Sequence, residues 1–187
     1  MKTAIRICTV VALAVPWLAI AQPPPQVAVP IDVQVGLIVN IWKLDRNFDS
    51  AKVVTLAVVY QESYSGSVNV KDDLLVTIER QKVRVVAVPY EIGRSNGLRE
   101  TLMLIQADAI YVAPLRGIDI AAIAEICRER HLRSITGIAE YVEAGIAVGF
   151  GIRKNRPLII VNLRQARAEG AAFSSQLLEL ARIVGPL

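Results

Sequence analysis

Three short apolar runs, each rich in β-branched residues, place the strongest constraint on what this chain can fold into. They are VVTLAVVY (53–60), VRVVAVPY (83–90) and ADAIYVAP (107–114), and we expect Pro89 and Pro114 to end the last two. A continuous apolar run of this length is typical of a strand that is buried on both faces. Strands of that kind form parallel sheets between layers of helices, so the runs predict an α/β fold.

The segments around these runs have apolar residues at every third or fourth position, which is the pattern of a helix with one buried face. Alternation of such helices with strands favours a doubly wound sheet with right-handed crossovers. For the helix after the third run, the expected apolar face contains Ile118, Ala121, Ala122, Ile126 and Cys127. We predict helices over 32–44, 68–81, 98–105 and 117–131, a fourth strand over 133–138 and a helical turn over 139–143.

The C-terminal part of the chain departs from this alternation. IAVGFGI (146–152) and LIIVN (158–162) are joined by RKNRP, which is too short for a parallel crossover and predicts an antiparallel hairpin. Asn162 is placed to cap a short helix, and Gly170 to follow its end.

A final amphipathic helix would be capped by Ser174 or Ser175, with an apolar stripe of Leu177, Leu178, Ala181 and Val184. The predicted fold is therefore a three-layer α/β/α arrangement. It has a mostly parallel sheet, an antiparallel C-terminal hairpin and a terminal amphipathic helix.

Residues 1–21 have the features of a secretory signal peptide: basic Lys2 and Arg6, an uncharged run over 7–20, and a small-x-small end. The uncharged run is shorter than the roughly 20 residues that span a bilayer. QPPPQVAVP (22–30) predicts a proline-rich linker, and 31–187 a single domain. We therefore expect a periplasmic protein.

Charge and cysteine content narrow the function classes. Loss of Lys2 and Arg6 lowers the formal net charge from +4 to +2, and no Lys/Arg cluster stands out, so we expect no nucleic-acid partner. Loss of Cys8 leaves Cys127 alone, so an intrachain disulfide is excluded, whereas pairing between two chains of a homodimer stays open.

No catalytic constellation is found. Cys127 and His131 are four residues apart on a predicted helix, a spacing that suits two metal ligands, but a structural zinc site needs four. The G-x-S-x-G motif of a hydrolase is missing. We expect neither enzyme activity nor a cofactor.

The glycines of the predicted hairpin do not form a nucleotide-binding loop. Gly145, Gly149 and Gly151 have the spacing G-x-x-x-G-x-G, whereas the dinucleotide fingerprint is G-x-G-x-x-G at a strand-to-helix turn. Alternation along the strand places Gly149 and Gly151 on one face, where a helix or a ligand can approach closely. We favour helix packing, which is the commoner reason for small residues in a strand.

Polar residues follow the predicted parallel strands. In an open α/β sheet, ligands bind beyond the carboxyl ends of the strands. The sequence therefore suggests a small-ligand crevice there, with an ordinary polar loop rim as the alternative. The candidate residues are Gln61, Ser63, Tyr64, Tyr90, Arg116 and Thr136.

The end of the chain resembles the YfiR-like family of small periplasmic proteins. The shared features are a glycine-led strand, a strand that ends in Asn-Leu, an Ala-rich helical turn and a Ser-Ser-x-Leu-Leu-x-x-Ala ending. Here they are Gly145, Asn162-Leu163, Ala166, and Ser174-Ser175 with Leu177, Leu178 and Ala181.

The resemblance implies a regulatory function. The family's namesake is a periplasmic repressor that binds the periplasmic part of a membrane diguanylate cyclase, which lowers cyclic-di-GMP synthesis and biofilm formation. Its response to redox conditions through disulfides is not expected here, because Cys127 has no partner in the mature chain. The alternative is a small-solute binding protein, since ADAIYVAP…GIAEYVEAGIAVGFG also resembles the second lobe of importer solute receptors.

Overall fold

The computed structural model describes residues 29–93 and 98–185. These residues form one seven-stranded sheet with helices around it. The predicted signal peptide, most of the predicted linker and part of the GRSNG loop lie outside these residues. The strand order is β2-β1-β3-β4-β5-β6-β7, and every neighbouring pair is parallel except β5 and β6. The strands are β1 Val54–Tyr60, β2 Val85–Glu91, β3 Ala109–Val112, β4 Arg133–Thr136, β5 Val148–Arg153, β6 Arg156–Asn162 and β7 Arg182–Val184.

Helices cover both faces of the sheet. One face packs against α1 and α2, and the C-terminal helices add Ala166 and Leu177 to the same core. The other face packs against α3 and α4, with Tyr141 of α5 in that second core. The predicted three-layer α/β/α fold is therefore confirmed. The helices are α1 Ile31–Lys43, α2 Ser65–Gln81, α3 Leu98–Leu104, α4 Ile120–Arg130, α5 Ala139–Glu143, α6 Leu163–Ala168 and α7 Ser175–Leu180.

The three apolar runs do not occupy equivalent places. β1 and β3 lie inside the sheet, and all four residues of β3 are buried. β2 is an edge strand and is only partly buried, so the prediction that it is buried on both faces was wrong.

Pro89 lies within β2 rather than at its end. Val54 N–H donates to Arg84 O, and Ile92 N–H donates to Tyr60 O. The even-numbered backbone groups of β2 therefore face β1, and Pro89 faces the open edge, where its missing N–H costs no hydrogen bond. A proline at such a position also protects the edge from pairing with other chains.

α4 begins later than predicted because Asp119 caps it. Ala121 N–H donates to Asp119 Oδ1 over 2.9 Å. The expected apolar face is only partly right, because Ala121 is exposed and Ala122 is half-buried. The buried residues of α4 are Ile123, Ala124, Ile126 and Cys127.

The last helix is shorter than predicted. Ser174 caps α7 through its hydroxyl, which accepts from Leu177 N–H, and Ser175 is the first helical residue. The helix ends at Leu180, and β7 then pairs with the open edge of β6. Val184 therefore belongs to a strand rather than to the helical stripe.

Close packing explains the glycine face of β5. A Cβ on Gly149 would lie 2.3 Å from Val142 Cγ2, so α5 can approach the strand only where a side chain is missing. Helix packing, rather than ligand approach, is thus confirmed as the reason for Gly149. Gly145 has a φ of +123°, which a residue with a side chain rarely adopts.

Candidate functional site

An open crevice of about 710 Å³ lies at the carboxyl ends of β1, β2 and β3. The chain passes from β1 to β2 on one side and returns to β3 on the other side of β1. The loops after β1 and β3 therefore diverge, which is the topological switch point where open α/β sheets bind ligands. The lining residues are Gln61, Glu62, Ser63, Glu91, Ile92, Gly93, Arg116, Gly117 and Ile118.

Side-chain hydrogen bonds fix the loop after β3. The amide of Gln61 accepts from Arg116 N–H over 2.8 Å and donates to Arg116 O over 3.3 Å. The Tyr141 hydroxyl accepts from Leu115 N–H over 2.9 Å and donates to Leu115 O over 3.1 Å. One wall of the crevice is therefore held in place from both β1 and α5.

The crevice presents charges of both signs. The Arg116 guanidinium lies 4.2 Å from the ring centroid of Tyr64, a cation–π contact that orients it. Glu62 and Glu91 supply exposed carboxylates to the same crevice. The arrangement can pair with a small molecule that carries both an anionic and a cationic group.

The structure brings together some of the residues predicted for this crevice and separates others. Gln61, Ser63 and Arg116 line it, and Tyr64 lies beside it under Arg116. Tyr90 packs partly buried against the core formed with α3 and α4. Thr136 is fully buried, where its hydroxyl donates to Val112 O, so it does not reach the crevice.

Sequence reasoning missed the two carboxylates of the crevice. Glu91 was missed because Pro89 was expected to end β2, although the strand continues to Glu91. Glu62 lies between Gln61 and Ser63, which were both predicted to line the crevice. Its position in that loop could therefore have predicted it as well.

The structure does not favour a Cys127–His131 site. Cys127 is buried and His131 is exposed at the end of α4. Burial, and to a lesser extent the charge of Glu169, raises the pKa of the Cys127 thiol well above its usual value, which disfavours the nucleophilic thiolate. Within residues 29–93 and 98–185, His, Cys, Asp and Glu side chains form no group of three that could hold a metal ion.

A second polar feature is buried around the start of β4. We call Asp45, Arg133 and Glu169 the charge cluster. Arg133 Nε lies 3.2 Å from Asp45 Oδ2, and its guanidinium also donates to the backbone carbonyls of Glu169 and Gly170. Asp45 accepts in turn from Ala172 N–H, so the cluster ties the end of α1, β4 and the end of α6 together.

The Glu169 carboxylate is fully buried among hydrogen-bond donors. It accepts from Ser134 N–H over 2.8 Å, from the Ser134 hydroxyl and from Gln165 Nε2 over 3.0 Å. Burial raises the pKa of Glu169 to about 7, against the opposing effect of these donors and of Arg133. No signal in the sequence beyond a Glu before Gly170 pointed to this arrangement.

No helix of the described ranges 29–93 and 98–185 has the length and apolar character needed to cross a membrane.

Solved structures with a similar fold include substrate-binding proteins. An ABC domain in complex with L-Trp from Streptococcus pneumonia matches with a TM-score of 0.65 and 14% identity, over 83% of this chain and 62% of that one. A ligand-free, open substrate-binding protein with adhesive properties from Clostridium difficile matches with a TM-score of 0.62 and 18% identity, over 85% and 61%.

A conserved domain protein from Vibrio cholerae gives a TM-score of 0.62 at 14% identity, over 83% of this chain and 60% of that one. The chain thus spans about three fifths of the length of each of these proteins, and at such identities the likeness shows the fold alone.

Curated protein sequences give no match to the chain. The model of the YfiR/HmsC-like family, in contrast, matches residues 35–182. This range begins in α1, ends in β7 and includes both the crevice and the charge cluster. The chain therefore belongs to the YfiR/HmsC-like family, whose members are periplasmic regulators.

Proposed function

We propose that this chain is a non-enzymatic periplasmic regulator that binds the periplasmic part of a membrane sensor, such as a diguanylate cyclase, and represses it. The observation that carries the proposal is the family match over residues 35–182. The buried Cys127, whose raised pKa disfavours the thiolate, and the exposed His131 agree with a role in binding rather than catalysis.

A capture experiment tests this function. The tagged full chain is expressed in the bacterium that makes it, and periplasm-facing membrane proteins are recovered with it after mild detergent extraction. The expected result is co-purification of a membrane diguanylate cyclase, with higher cellular cyclic-di-GMP after deletion of the gene. Unchanged cyclic-di-GMP together with no recovered sensor would refute the proposal.

Export is part of the same proposal. Residues 1–21 are proposed to be a signal peptide, 22–30 a proline-rich linker and 31–187 the single regulatory domain. N-terminal sequencing of the mature protein from the periplasm should begin at Gln22. A mature protein that begins at Met1 would contradict this assignment.

The second candidate function is the binding of a small solute, and the crevice is the observation that favours it. Gln61, Ser63 and Arg116 are proposed to contact the ligand, and Arg116 to pair with its anionic group. Melting temperature is measured with amino acids, nucleotides and sugars, because a ligand that binds only the folded state raises it by mass action.

The control for this second candidate is Arg116→Gln, which keeps a polar side chain, although a shorter one, and removes the charge. A ligand that stabilises the natural chain and not this variant supports the crevice. A ligand that stabilises both equally binds elsewhere.

A further inference from the structure

The β5–β6 hairpin extends beyond the rest of the sheet. β4 pairs with β5 only as far as Gly149, and β7 pairs with β6 only from Ile160 onward. Between these points the two strands pair only with each other, and residues 152–157 are all exposed. We call residues 152–157 the hairpin tip. It lies on the same edge of the sheet as the crevice, because β5 runs parallel to β4.

The hairpin tip concentrates unpaired positive charge. Three of its four central residues are cations, namely Arg153, Lys154 and Arg156, a local cluster that the sequence analysis overlooked. Among the described residues, none of these three side chains has an ion pair, a hydrogen bond or a ring contact. In contrast, Arg133 of the charge cluster, Lys52 and Arg99 each form an ion pair with a carboxylate.

Two local features of the hairpin tip oppose its own stability. Arg153 and Arg156 are direct cross-strand partners, and like charges placed directly opposite each other destabilise a hairpin. Lys154 and Asn155 both have positive φ, 51° and 58°, as a type I′ turn requires. Asn-Gly is the favoured pair in such a turn, so Lys154 occupies a position that its side chain disfavours.

Local choices that conflict with stability are expected mainly at functional sites. Here both conflicts place positive charge at the same exposed point. We propose that the hairpin tip is a docking element for an acidic surface of a protein partner, with Arg153, Lys154 and Arg156 pairing with its carboxylates. This inference rests on the proposed function and assigns part of the surface by which the chain contacts its sensor.

A protein surface fits the hairpin tip better than a lipid bilayer does. Three cations near an anionic membrane give only a weak attraction, and stable attachment needs a second anchor such as a large amphipathic face. The exposed apolar residues of the hairpin tip are limited to Ile152 and Pro157. A narrow, exposed hairpin can enter an acidic cleft of a folded partner, and its charges can steer the approach.

The test measures binding of the full chain to inner membranes of the organism that makes it. Arg153→Gln, Lys154→Gln and Arg156→Gln are combined in one variant, which should bind about tenfold more weakly, two- to threefold for each exposed ion pair. The matched control is Arg46→Gln, Arg164→Gln and Arg167→Gln, which removes the same charge from three other exposed arginines and should bind as the natural chain does.

A zero-length carbodiimide cross-link provides a positional readout. It joins the Lys154 amine directly to a carboxylate only when the two are in contact. The natural chain should yield a Lys154 cross-link to an Asp or Glu of the captured sensor, identified by mass spectrometry. Lys154→Arg should keep the binding and lose the cross-link.

The melting temperature of a turn variant distinguishes a loss of docking from a loss of folding. Lys154→Asn with Asn155→Gly relieves the turn and should raise the melting temperature by about 2–4 °C, while binding falls two- to threefold. A variant that is more stable and binds more weakly supports docking.

Three results overturn the inference. If the triple hairpin variant binds as tightly as the natural chain, the hairpin tip has no docking role, and the proposed function is unaffected. Hairpin-dependent binding to protein-free vesicles of phosphatidylethanolamine and phosphatidylglycerol assigns the hairpin tip to lipid instead. Lack of membrane binding by the natural chain removes both the inference and the proposed function.

Discussion

The crevice and the charge cluster hold the same kinds of side chain in opposite surroundings. In the crevice, Arg116 and the carboxylates of Glu62 and Glu91 are exposed at the edge of the sheet. In the charge cluster, Asp45 and Glu169 are 3% and 0% exposed, and both are paired with donors. The comparison teaches that charge in the cluster holds elements together, whereas charge in the crevice stays exposed to solvent.

Removal of the central cation should give the largest effect. Arg133→Met keeps most of the apolar stem but leaves the buried carboxylate of Asp45 without its ion pair. Breaking a buried pair in this way costs about 3–5 kcal/mol of unfolding free energy. Urea unfolding at pH 7 measures the loss, and a change below about 1 kcal/mol would mean that the cluster is no more structural than the crevice.

The buried carboxylate should make stability depend on pH. The pKa of Glu169 is about 7 in the folded chain and 4.5 as an ordinary Glu, so the folded state holds the proton more tightly. The stabilisation of the folded state by this bound proton is fully present below about pH 4.5 and is lost as pH rises through about 7. The difference amounts to about 3 kcal/mol by proton linkage.

Glu169→Gln isolates this contribution. The variant should lose the fall in unfolding free energy between pH 4.5 and 7.5. Its amide has one acceptor oxygen instead of two, so one of the donors around it, Ser134 N–H or Gln165 Nε2, loses its acceptor and stability falls at every pH. Urea midpoints at a series of pH values measure both effects. Parallel curves for the two proteins would show that Glu169 is not the titrating group.

Helix caps beside the charge cluster should have intermediate effects. Asn162 accepts from Gln165 N–H over 3.0 Å, and Gln165 also holds Glu169. Asn162→Ala should lower the unfolding free energy by about 1 kcal/mol, whereas Asn162→Asp keeps the cap and should lose less. The same urea measurement distinguishes the two variants.

The crevice should give the smallest effect on stability. Arg116→Ala removes an exposed cation–π contact with Tyr64, which contributes roughly 0.5–1 kcal/mol at such a site. The backbone hydrogen bonds from Gln61 to Arg116 remain. A loss as large as that of Arg133→Met would assign the crevice a structural role and would weaken the case for a ligand.

Much of the fold followed from local patterns. The buried runs at β1 and β3, the antiparallel hairpin and the caps at Asn162 and Ser174 depend on residue type and short-range spacing. These signals act within a few residues, so they can be read without knowledge of distant contacts. The same local reasoning placed β2 inside the sheet, because an edge strand and a central strand can have equally apolar sequences.

The candidate site was predictable only in part. Gln61 and Arg116 could be placed at one edge because the carboxyl ends of parallel strands meet there. The same reasoning was wrong for Thr136. This residue ends β4, and its hydroxyl accepts from Ile138 N–H within a buried turn that leads into α5. How far each strand extends is decided by its neighbours rather than by its own residues.

The sequence by itself determined the alternation of strands and helices, the hairpin, the caps and the family, because each depends on periodicity or on a short motif. Only the tertiary structure decided that β2 is an edge, that residues 182–184 form a strand, and that Arg133 meets Asp45 and Glu169. Asp45 and Arg133 are 88 residues apart in the chain. Contacts over such separations follow from the packing of whole layers, which no local pattern specifies.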